Sequence, residues 1–132
     1  MKIIADTNLL VRLVVDDDPE QTRLTQTTMA QAERVVVSLH ALCEMVWVLR
    51  SKYRFKKADI VAMVERIRKS KNVELDRAAV DAGLATMIAG ADFADGVIDY
   101  EGRCLGGETF VSFDKKAVEA LAKQGQKVRL LA

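Results

Sequence analysis

The chain has 132 residues, of which 50% are hydrophobic and 30% are charged. This balance is typical of one soluble globular domain with a single core, so we expect one domain over residues 1–132. The formal net charge of +1 gives no sign of a nucleic-acid or membrane surface, so any electrostatic function must come from how the charges are distributed.

No apolar run approaches the roughly 20 residues that a membrane span requires. The opening MKIIADTN also lacks the long apolar stretch and cleavage site of a secretory signal. Cys43 and Cys104 lie far apart in apolar helical patterns, which favours buried thiols in a reducing compartment over a disulfide. The sequence therefore predicts a cytoplasmic protein.

Strand and helix patterns alternate along the chain. Short apolar runs predict strands at residues 1–5, 34–38, 72–75, 109–113 and 127–131. Apolar residues at helical spacing predict helices at residues 9–15, 19–33, 39–53, 57–70, 76–89, 92–105 and 115–123. This alternation predicts an α/β fold, a three-layer sandwich in which helices cover both faces of a mainly parallel sheet.

Local signals mark several helix ends. Asp18 is the expected N-cap of the second helix, with Pro19 at the first helical position and Gln21 at capping-box spacing. Gly90 and Gly125 are expected just past the ends of two later helices. The helix at 39–53 carries a broad apolar stripe that includes Trp47, which predicts that most of its circumference is buried.

Two aspartates follow strands of the predicted sheet. Asp6 ends the first strand and Asp114 ends the fourth. In the common strand order 3-2-1-4-5 these strands are neighbours where the order reverses, which is where open parallel sheets bind ligands. Each aspartate also has a simpler explanation as the N-cap of the helix that follows.

Glu44 lies in the apolar helix after the second strand, with no Lys or Arg three or four residues away and only His40 as a local partner. A partly buried carboxylate without a cation requires a partner, a metal ion or a raised pKa. The alternative is an exposed glutamate on the narrow polar edge of that helix.

Asp95 lies in the first turn of the helix that begins near Asp92. Free N–H groups and the helix dipole favour negative charge at this position, and a capping box between these two residues explains the pattern equally well. Asp99, one turn further along, is expected to be peripheral.

Converging acids without basic partners repel one another unless a cation is bound. Carboxylates without a histidine or thiolate cluster favour Mg²⁺ or Mn²⁺. The natural chemistry of such a site is metal-assisted hydrolysis of a phosphodiester, with either one or two ions.

Four segments occur in a characteristic order: ADTN after the first strand, LCEMVWVL in the central helix, DFADGVI at a helix start and VSFD at the fourth strand end. This ordered set resembles the PIN domain, and within it the VapC-like toxins of bacterial toxin–antitoxin pairs. The resemblance covers essentially the whole chain. Each motif is weak alone, whereas the set in its strand and helix context is fairly specific.

The resemblance implies an endoribonuclease whose motif acids ligate Mg²⁺ or Mn²⁺, namely Asp6, Glu44, Asp95 and Asp114, with Asp92 as a further candidate. It implies supporting roles for Thr7, Asn8 and Ser112. It also implies a five-stranded parallel sheet, a homodimer, and a cognate antitoxin whose C-terminal segment covers the acidic groove.

Basic residues concentrate between residues 50 and 71. Cations beside a nuclease site hold the RNA backbone, and Arg50, Lys52 and Arg54 are the first candidates because they follow the Glu44 helix. The alternative is a solvated helix face. Tyr53 and Phe55 are expected to pack under the basic helix rather than stack on bases.

Two other classes of protein remain. A phosphohydrolase of the haloacid dehalogenase type would have Asp-x-Asp at the first strand end, where this chain has Asn8, and a response-regulator receiver also fits poorly. A non-catalytic partner-binding module with the same fold is the other alternative, and the presence of all four acids argues against it.

Overall fold

The computed structural model describes all of residues 1–132, which form two compact units, Met1–Asp76 and Arg77–Ala132. Strands and helices alternate as predicted, which confirms the α/β class. The first unit contains β1 (Lys2–Ala5), α1 (Thr7–Val14), α2 (Pro19–Gln31), β2 (Arg34–Val37), α3 (Leu39–Ser51), α4 (Lys57–Lys69) and β3 (Val73–Glu74). The second contains α5 (Arg77–Ile88), α6 (Phe93–Cys104), β4 (Phe110–Ser112), α7 (Lys115–Lys123) and β5 (Val128–Leu130).

The first unit is built on a three-stranded parallel sheet in the order β1-β2-β3. Ile3 lies opposite Val35, and Val35 lies opposite Val73, so the β-branched residues of the apolar runs share one register. Helix α3 contributes its fully buried side chains to this core, namely Leu42, Met45 and Leu49. The sheet and α3 thereby fix where β1 ends and α1 begins.

Capping residues set the helix starts of the first unit. The Asp18 side chain accepts a hydrogen bond from the Gln21 N–H at 3.2 Å, with Pro19 in the first turn, as predicted. The Ser38 side chain caps α3 in the same way, with the Ala41 N–H as donor at 3.1 Å. Each cap turns the chain from a strand or loop directly into a helix.

The second unit depends on a close approach between α5 and α6. A Cβ atom at Gly96 would lie 2.3 Å from the backbone oxygen of Ala82, and one at Gly83 would lie 2.7 Å from the Phe93 ring. Only glycine fits at these two points. Gly96 directly follows Asp95, so this packing also positions the first turn of α6.

A parallel pair of strands, β4 and β5, completes the second unit, with Phe110 opposite Val128. Between them, α7 ends at Lys123 and is followed by Gly125, whose φ of +83° is the left-handed conformation expected after a helix C-terminus. Arg103 of α6 donates to the Glu108 and Lys127 carbonyl oxygens at 2.7 and 3.0 Å. This side chain therefore joins α6 to the segments that lead into β4 and β5.

The strands form two sheets, which contain the 3-2-1 and the 4-5 portions of the predicted order. The five-strand order 3-2-1-4-5 is not confirmed, because it requires β1 and β4 to be hydrogen-bonded neighbours. The ladder of β1 runs to β2 and that of β4 runs to β5. None of the helices is long and apolar enough to cross a bilayer.

Two side chains depart from the burial predicted for them. Trp47 is 68% exposed, because the core face of α3 is filled by other residues and the indole lies outside it. The predicted burial of most of that helix is therefore wrong at this position. Neither Cys43 nor Cys104 forms a disulfide, as predicted, but Cys43 is only half-buried and Cys104 is exposed because it ends α6.

Candidate active site

The first acidic cluster, which we call the N-terminal cluster, consists of Asp6, Thr7 and Glu44. Asp6 follows β1 directly and is the N-cap of α1, where its Oδ1 accepts a hydrogen bond from the Leu9 N–H at 3.1 Å. Thr7 Oγ1 donates to Glu44 Oε1 at 3.4 Å. The strand end and the middle of α3 are thus brought together by this contact.

The Glu44 carboxylate has one ionisable side chain in contact with it, that of His40. His40 Nε2 lies 2.7 Å from Glu44 Oε1, one helical turn earlier, as the sequence predicts. The Glu44 side chain is 52% exposed, so it is less buried than its position in an apolar helix predicts. Both contacts, from Thr7 and from His40, are made to the same oxygen, so Oε2 has no hydrogen-bond partner.

The second acidic cluster, which we call the C-terminal cluster, consists of Asp92, Asp95 and Asp114. Asp92 is the N-cap of α6, and Asp95 Oδ2 accepts a hydrogen bond from the Asp92 N–H at 3.2 Å, as the capping-box prediction requires. Asp114 is the N-cap of α7, where its Oδ1 accepts from two backbone N–H groups, of Lys116 at 3.0 Å and of Ala117 at 3.2 Å.

Ser112 supports this cluster from the end of β4. Its Oγ accepts a hydrogen bond from the Asp114 N–H at 2.9 Å, so the hydroxyl fixes the backbone from which the aspartate projects. The structure thus brings Ser112 into contact with Asp114, and its supporting role in the site stays a prediction. Asn8, the third predicted supporting residue, lies exposed in the first turn of α1.

The three carboxylates of the C-terminal cluster carry negative charge that no basic side chain neutralises. Burial raises the pKa of Asp95 above its ordinary value, and the charges of Asp92 and Asp114 raise the pKa further. The hydrogen bond from the Asp92 backbone opposes this shift. No Lys or Arg forms an ion pair with any acid of the two clusters.

Helix capping and metal binding are compatible in these aspartates. Asp6 and Asp114 each accept their cap hydrogen bonds through Oδ1, and neither Oδ2 has a hydrogen-bond partner. The sequence offers capping and ligation as alternative explanations for both residues. In the structure, capping occupies one oxygen of each carboxylate and leaves the other available to a ligand.

Asp99 is excluded from the acidic clusters by its surroundings. It is 7% exposed, and Arg103 Nε lies 3.0 Å from each of its carboxylate oxygens. A second nitrogen of the same guanidinium lies 2.9 Å from Asp99 Oδ1. Because this charge is fully paired, Asp99 has a structural role, as its predicted peripheral position suggests.

The predicted RNA-binding residues Arg50, Lys52 and Arg54 are all exposed at or just past the C-terminal end of α3. Tyr53 is held from two sides: its hydroxyl accepts from Arg12 at 3.0 Å, and its ring meets Phe55 edge-on at 6.3 Å between centroids. The rings therefore contact Arg12 and each other, and the predicted packing under the basic helix stays a prediction. Lys52 Nζ lies 5.6 Å from the centroid of the Tyr53 ring, and all three cations are exposed.

The donor atoms of the two clusters suit a hard divalent cation, since they are carboxylate and hydroxyl oxygens. No side-chain cation neutralises the negative charge around Asp95, and a divalent cation would do so. The structure contains no set of three or more His, Cys, Asp or Glu side chains placed to hold a metal ion, so neither cluster alone is a complete metal site.

Comparison with known proteins assigns the class. The model of the PIN domain family matches residues 3–98, which is more than half of the chain, so this protein belongs to the PIN domain family of nucleases. The matched region includes Asp6, Glu44 and Asp95 and ends before Asp114. The family predicted from the four motifs is thereby confirmed.

Among solved structures, the chain is similar to VapC20 of Mycobacterium tuberculosis, which is described as a toxin that cleaves the sarcin-ricin loop. The two chains are 19% identical, the similarity covers 96% of each, and the TM-score is 0.44. None of the curated protein sequences compared matches this chain.

Proposed function

We propose that this protein is an endoribonuclease that hydrolyses RNA phosphodiesters with the help of Mg²⁺ or Mn²⁺. Its membership of a nuclease family supports a phosphodiester substrate. The observation that carries the metal dependence is the C-terminal cluster, where burial and then the charges of Asp92 and Asp114 raise the pKa of Asp95, and no Lys or Arg pairs with these acids. Such a cluster is stabilised when a cation binds.

In this proposal the motif carboxylates are the residues that would hold the metal ion. The ligands are Asp6, Glu44, Asp95 and Asp114, and Asp92 is a further candidate. A bound divalent cation would neutralise the charge that develops on the scissile phosphate and would lower the pKa of a nearby water. Calorimetric titration with Mn²⁺ measures whether one or two ions bind.

The side chains of the N-terminal cluster have distinct tasks. Thr7 and His40 hold Glu44 Oε1, so the orientation of this carboxylate is fixed before substrate arrives. Oε2 is then the Glu44 oxygen left without a partner, and it would help to hold the cation or act as a general base for water. Asp6 is held by its cap hydrogen bond to the Leu9 N–H and presents Oδ2.

RNA binding is assigned to the exposed cations that follow α3, Arg50, Lys52 and Arg54. Contacts from these residues to phosphates add affinity without reading sequence. We expect substitution of any one of them by glutamine to weaken RNA binding and to reduce its salt dependence.

We further propose that the nuclease is the toxin of a bacterial toxin–antitoxin pair, acts in the cytoplasm as a homodimer, and is silenced by an antitoxin whose C-terminal segment covers the acidic groove. The ordered motifs that resemble VapC-like toxins support this role. Two measurements test it: the mass of the purified protein in solution, and the identity of any small protein that copurifies with it and inhibits it.

The central experiment compares cleavage of mixed cellular RNA in Mg²⁺, Mn²⁺ and EDTA by the wild type, Asp6→Asn and Asp59→Asn. Asp59 is an exposed aspartate in the first turn of α4, outside both clusters, so it is the matched control. Asparagine caps helices as well as aspartate does, so Asp6→Asn preserves the fold. We expect cleavage by the wild type and Asp59→Asn only, and only with metal.

Cleavage that persists in Asp6→Asn would indicate a contaminant or a different site. RNA binding without cleavage by the wild type would favour a non-catalytic module. Release of inorganic phosphate from small phosphate esters, without RNA cleavage, would favour a phosphohydrolase.

A further inference from the structure

An acid, an aromatic ring and a cation lie in one row on the outer face of α3. Glu44, Trp47 and Arg50 are spaced three residues apart, and all three are exposed. Side chains at this spacing are neighbours, with Cβ atoms about 5–6 Å apart. The indole therefore lies between the carboxylate of the N-terminal cluster and the first of the exposed cations.

Trp47 is not needed for the core of the first unit. Its side chain is 68% exposed, while Leu42, Met45 and Leu49 on the other side of α3 are fully buried. An exposed indole offers a broad apolar face together with an N–H group, and both suit contact with a flat, partly polar ring. Trp47 is therefore available to such a ligand.

We propose that Trp47 is a base-stacking residue, on which a nucleobase of single-stranded RNA packs beside the cleaved phosphodiester. This inference rests on the proposed function and adds a substrate contact to it. The order of these three side chains matches the order of groups along an RNA strand. The cleaved phosphate would lie near Glu44, a base on Trp47 and the next phosphate on Arg50. The exposed cations Lys52 and Arg54 continue the same charge complementarity.

The chemistry of this contact selects single strands without selecting a sequence. A base must be unstacked to lie on a protein ring, so paired RNA is excluded from this position. Every base has a π-face, so one indole binds all four with modest preferences. We therefore expect cleavage in loops and unpaired segments.

The test uses fluorescence, because Trp47 is the only tryptophan in the chain. Asp6→Asn protein, which does not cleave RNA in the proposed function, is titrated with short oligoadenylate and oligouridylate in Mg²⁺. Stacking is expected to quench the indole emission with the same Kd that anisotropy of a labelled oligonucleotide gives. A duplex of the two strands is expected to quench much less.

Affinity is then compared by anisotropy in Trp47→Ala, Trp47→Phe and Leu24→Ala, each in the Asp6→Asn background. Loss of one stacked base is expected to weaken binding roughly 5- to 100-fold in Trp47→Ala. Trp47→Phe retains an aromatic ring and should recover most of the affinity. Leu24 is a 62% exposed apolar residue on α2, so Leu24→Ala controls for loss of apolar surface and should bind as the parent does.

The outcomes separate this inference from the proposed function. If wild-type protein cleaves RNA while Trp47→Ala binds as tightly as its parent and the indole is not quenched, the stacking role is wrong and the nuclease stands. If the indole is quenched but no RNA is cleaved, the nuclease assignment fails and the stacking role stands. A Trp47→Ala variant with unchanged RNA affinity but reduced solution mass would place Trp47 in a protein interface and overturn the inference.

Discussion

Thr7 Oγ1 donates a hydrogen bond to Glu44 Oε1 over 3.4 Å, which links the first turn of α1 to the middle of α3 across 37 residues of sequence. His40 contacts the same oxygen from within α3. The Glu44 carboxylate is thereby held through Oε1, and Oε2 has no hydrogen-bond partner. This arrangement makes Thr7 a positioning residue for Glu44.

The first prediction concerns this hydroxyl. Thr7→Val keeps the shape of the side chain and removes the donor, so we expect RNA cleavage and Mn²⁺ affinity to fall by about 10- to 100-fold, the usual effect of losing an outer-shell partner. Thr7→Ser keeps the donor and should retain activity. Steady-state cleavage of a fluorogenic RNA and Mn²⁺ titration measure both effects, and an equal loss in the serine variant would contradict the role.

The second prediction concerns metal binding and heat stability. Mg²⁺ or Mn²⁺ that binds only the folded protein should stabilise it by about 2.7 kcal/mol at 100 times its Kd, which raises Tm by several degrees. Glu44→Gln should lose most of this rise without lowering the Tm in EDTA, because it removes one negative charge from the N-terminal cluster. A large loss of stability in EDTA would instead assign Glu44 a structural role.

The third prediction concerns pH. Because the pKa of Asp95 is raised in the folded protein, the charged form is disfavoured there relative to the unfolded chain. The Asp95 contribution to the free energy of unfolding therefore falls as pH rises from its unfolded pKa through its folded pKa, and stays low above it. Asp95→Asn keeps an oxygen for the Asp92 N–H and cannot titrate, so this fall should disappear.

Urea unfolding in EDTA between about pH 3 and pH 7 measures this effect. Asp59→Asn, on the exposed surface of α4, is the matched control and should retain the wild-type pH dependence. We expect Asp95→Asn to be at least as stable as the wild type at pH 7 without metal. A wild-type pH dependence in Asp95→Asn would show that other groups produce it.

The fourth prediction concerns the buried ion pair of the second unit. Arg103→Met leaves the charge of Asp99, which is 7% exposed, without its partner. Breaking a buried pair in this way costs about 3–5 kcal/mol. The double variant Asp99→Leu/Arg103→Met removes both charges and should be more stable than Arg103→Met alone in urea unfolding. A double variant that is no more stable would locate the loss in the two carbonyl contacts of Arg103.

The fifth prediction concerns the contact between α5 and α6. The Cβ atom of Gly96→Ala would meet the Ala82 backbone oxygen, so the two helices must separate, at a cost of about 1–3 kcal/mol. Gly102, on the same helix, has open space around its Cα. Gly102→Ala is therefore the control, and it should be neutral or stabilising by about 0.5–1 kcal/mol because alanine favours helices. Equal destabilisation in both variants would contradict this explanation.

Features that depend on a few neighbouring residues could be predicted from the sequence. Asp18 with Gln21, and Asp92 with Asp95, show their capping relationships at a spacing of three residues, and both hydrogen bonds are present. Element bounds follow for the same reason, because apolar spacing within one segment decides its type. The four site motifs are equally local, and the PIN family match confirms the family that they indicate.

Features decided by distant parts of the chain could not be predicted in this way. The partner of Asp99, Arg103, lies only four residues away on α6, but the burial of Asp99 depends on how α6 packs against the rest of its unit. Trp47 belongs to an apolar stripe in the sequence, yet the core has no room for it. The neighbours of β1 and β4 are likewise set by tertiary structure, since a short strand does not encode its partners.

The helix caps at Asp6 and Asp114 have a consequence for the thermodynamics of ion binding. Each carboxylate is already restrained by backbone N–H groups, through one oxygen, in the protein without metal. If the proposed metal ligation holds, an ion that binds either carboxylate would not have to freeze that side chain, and little rotamer entropy would be lost. Replacing either aspartate by glutamate would retain the charge but give up this restraint, so affinity for the ion should fall even though the number of carboxylates is unchanged.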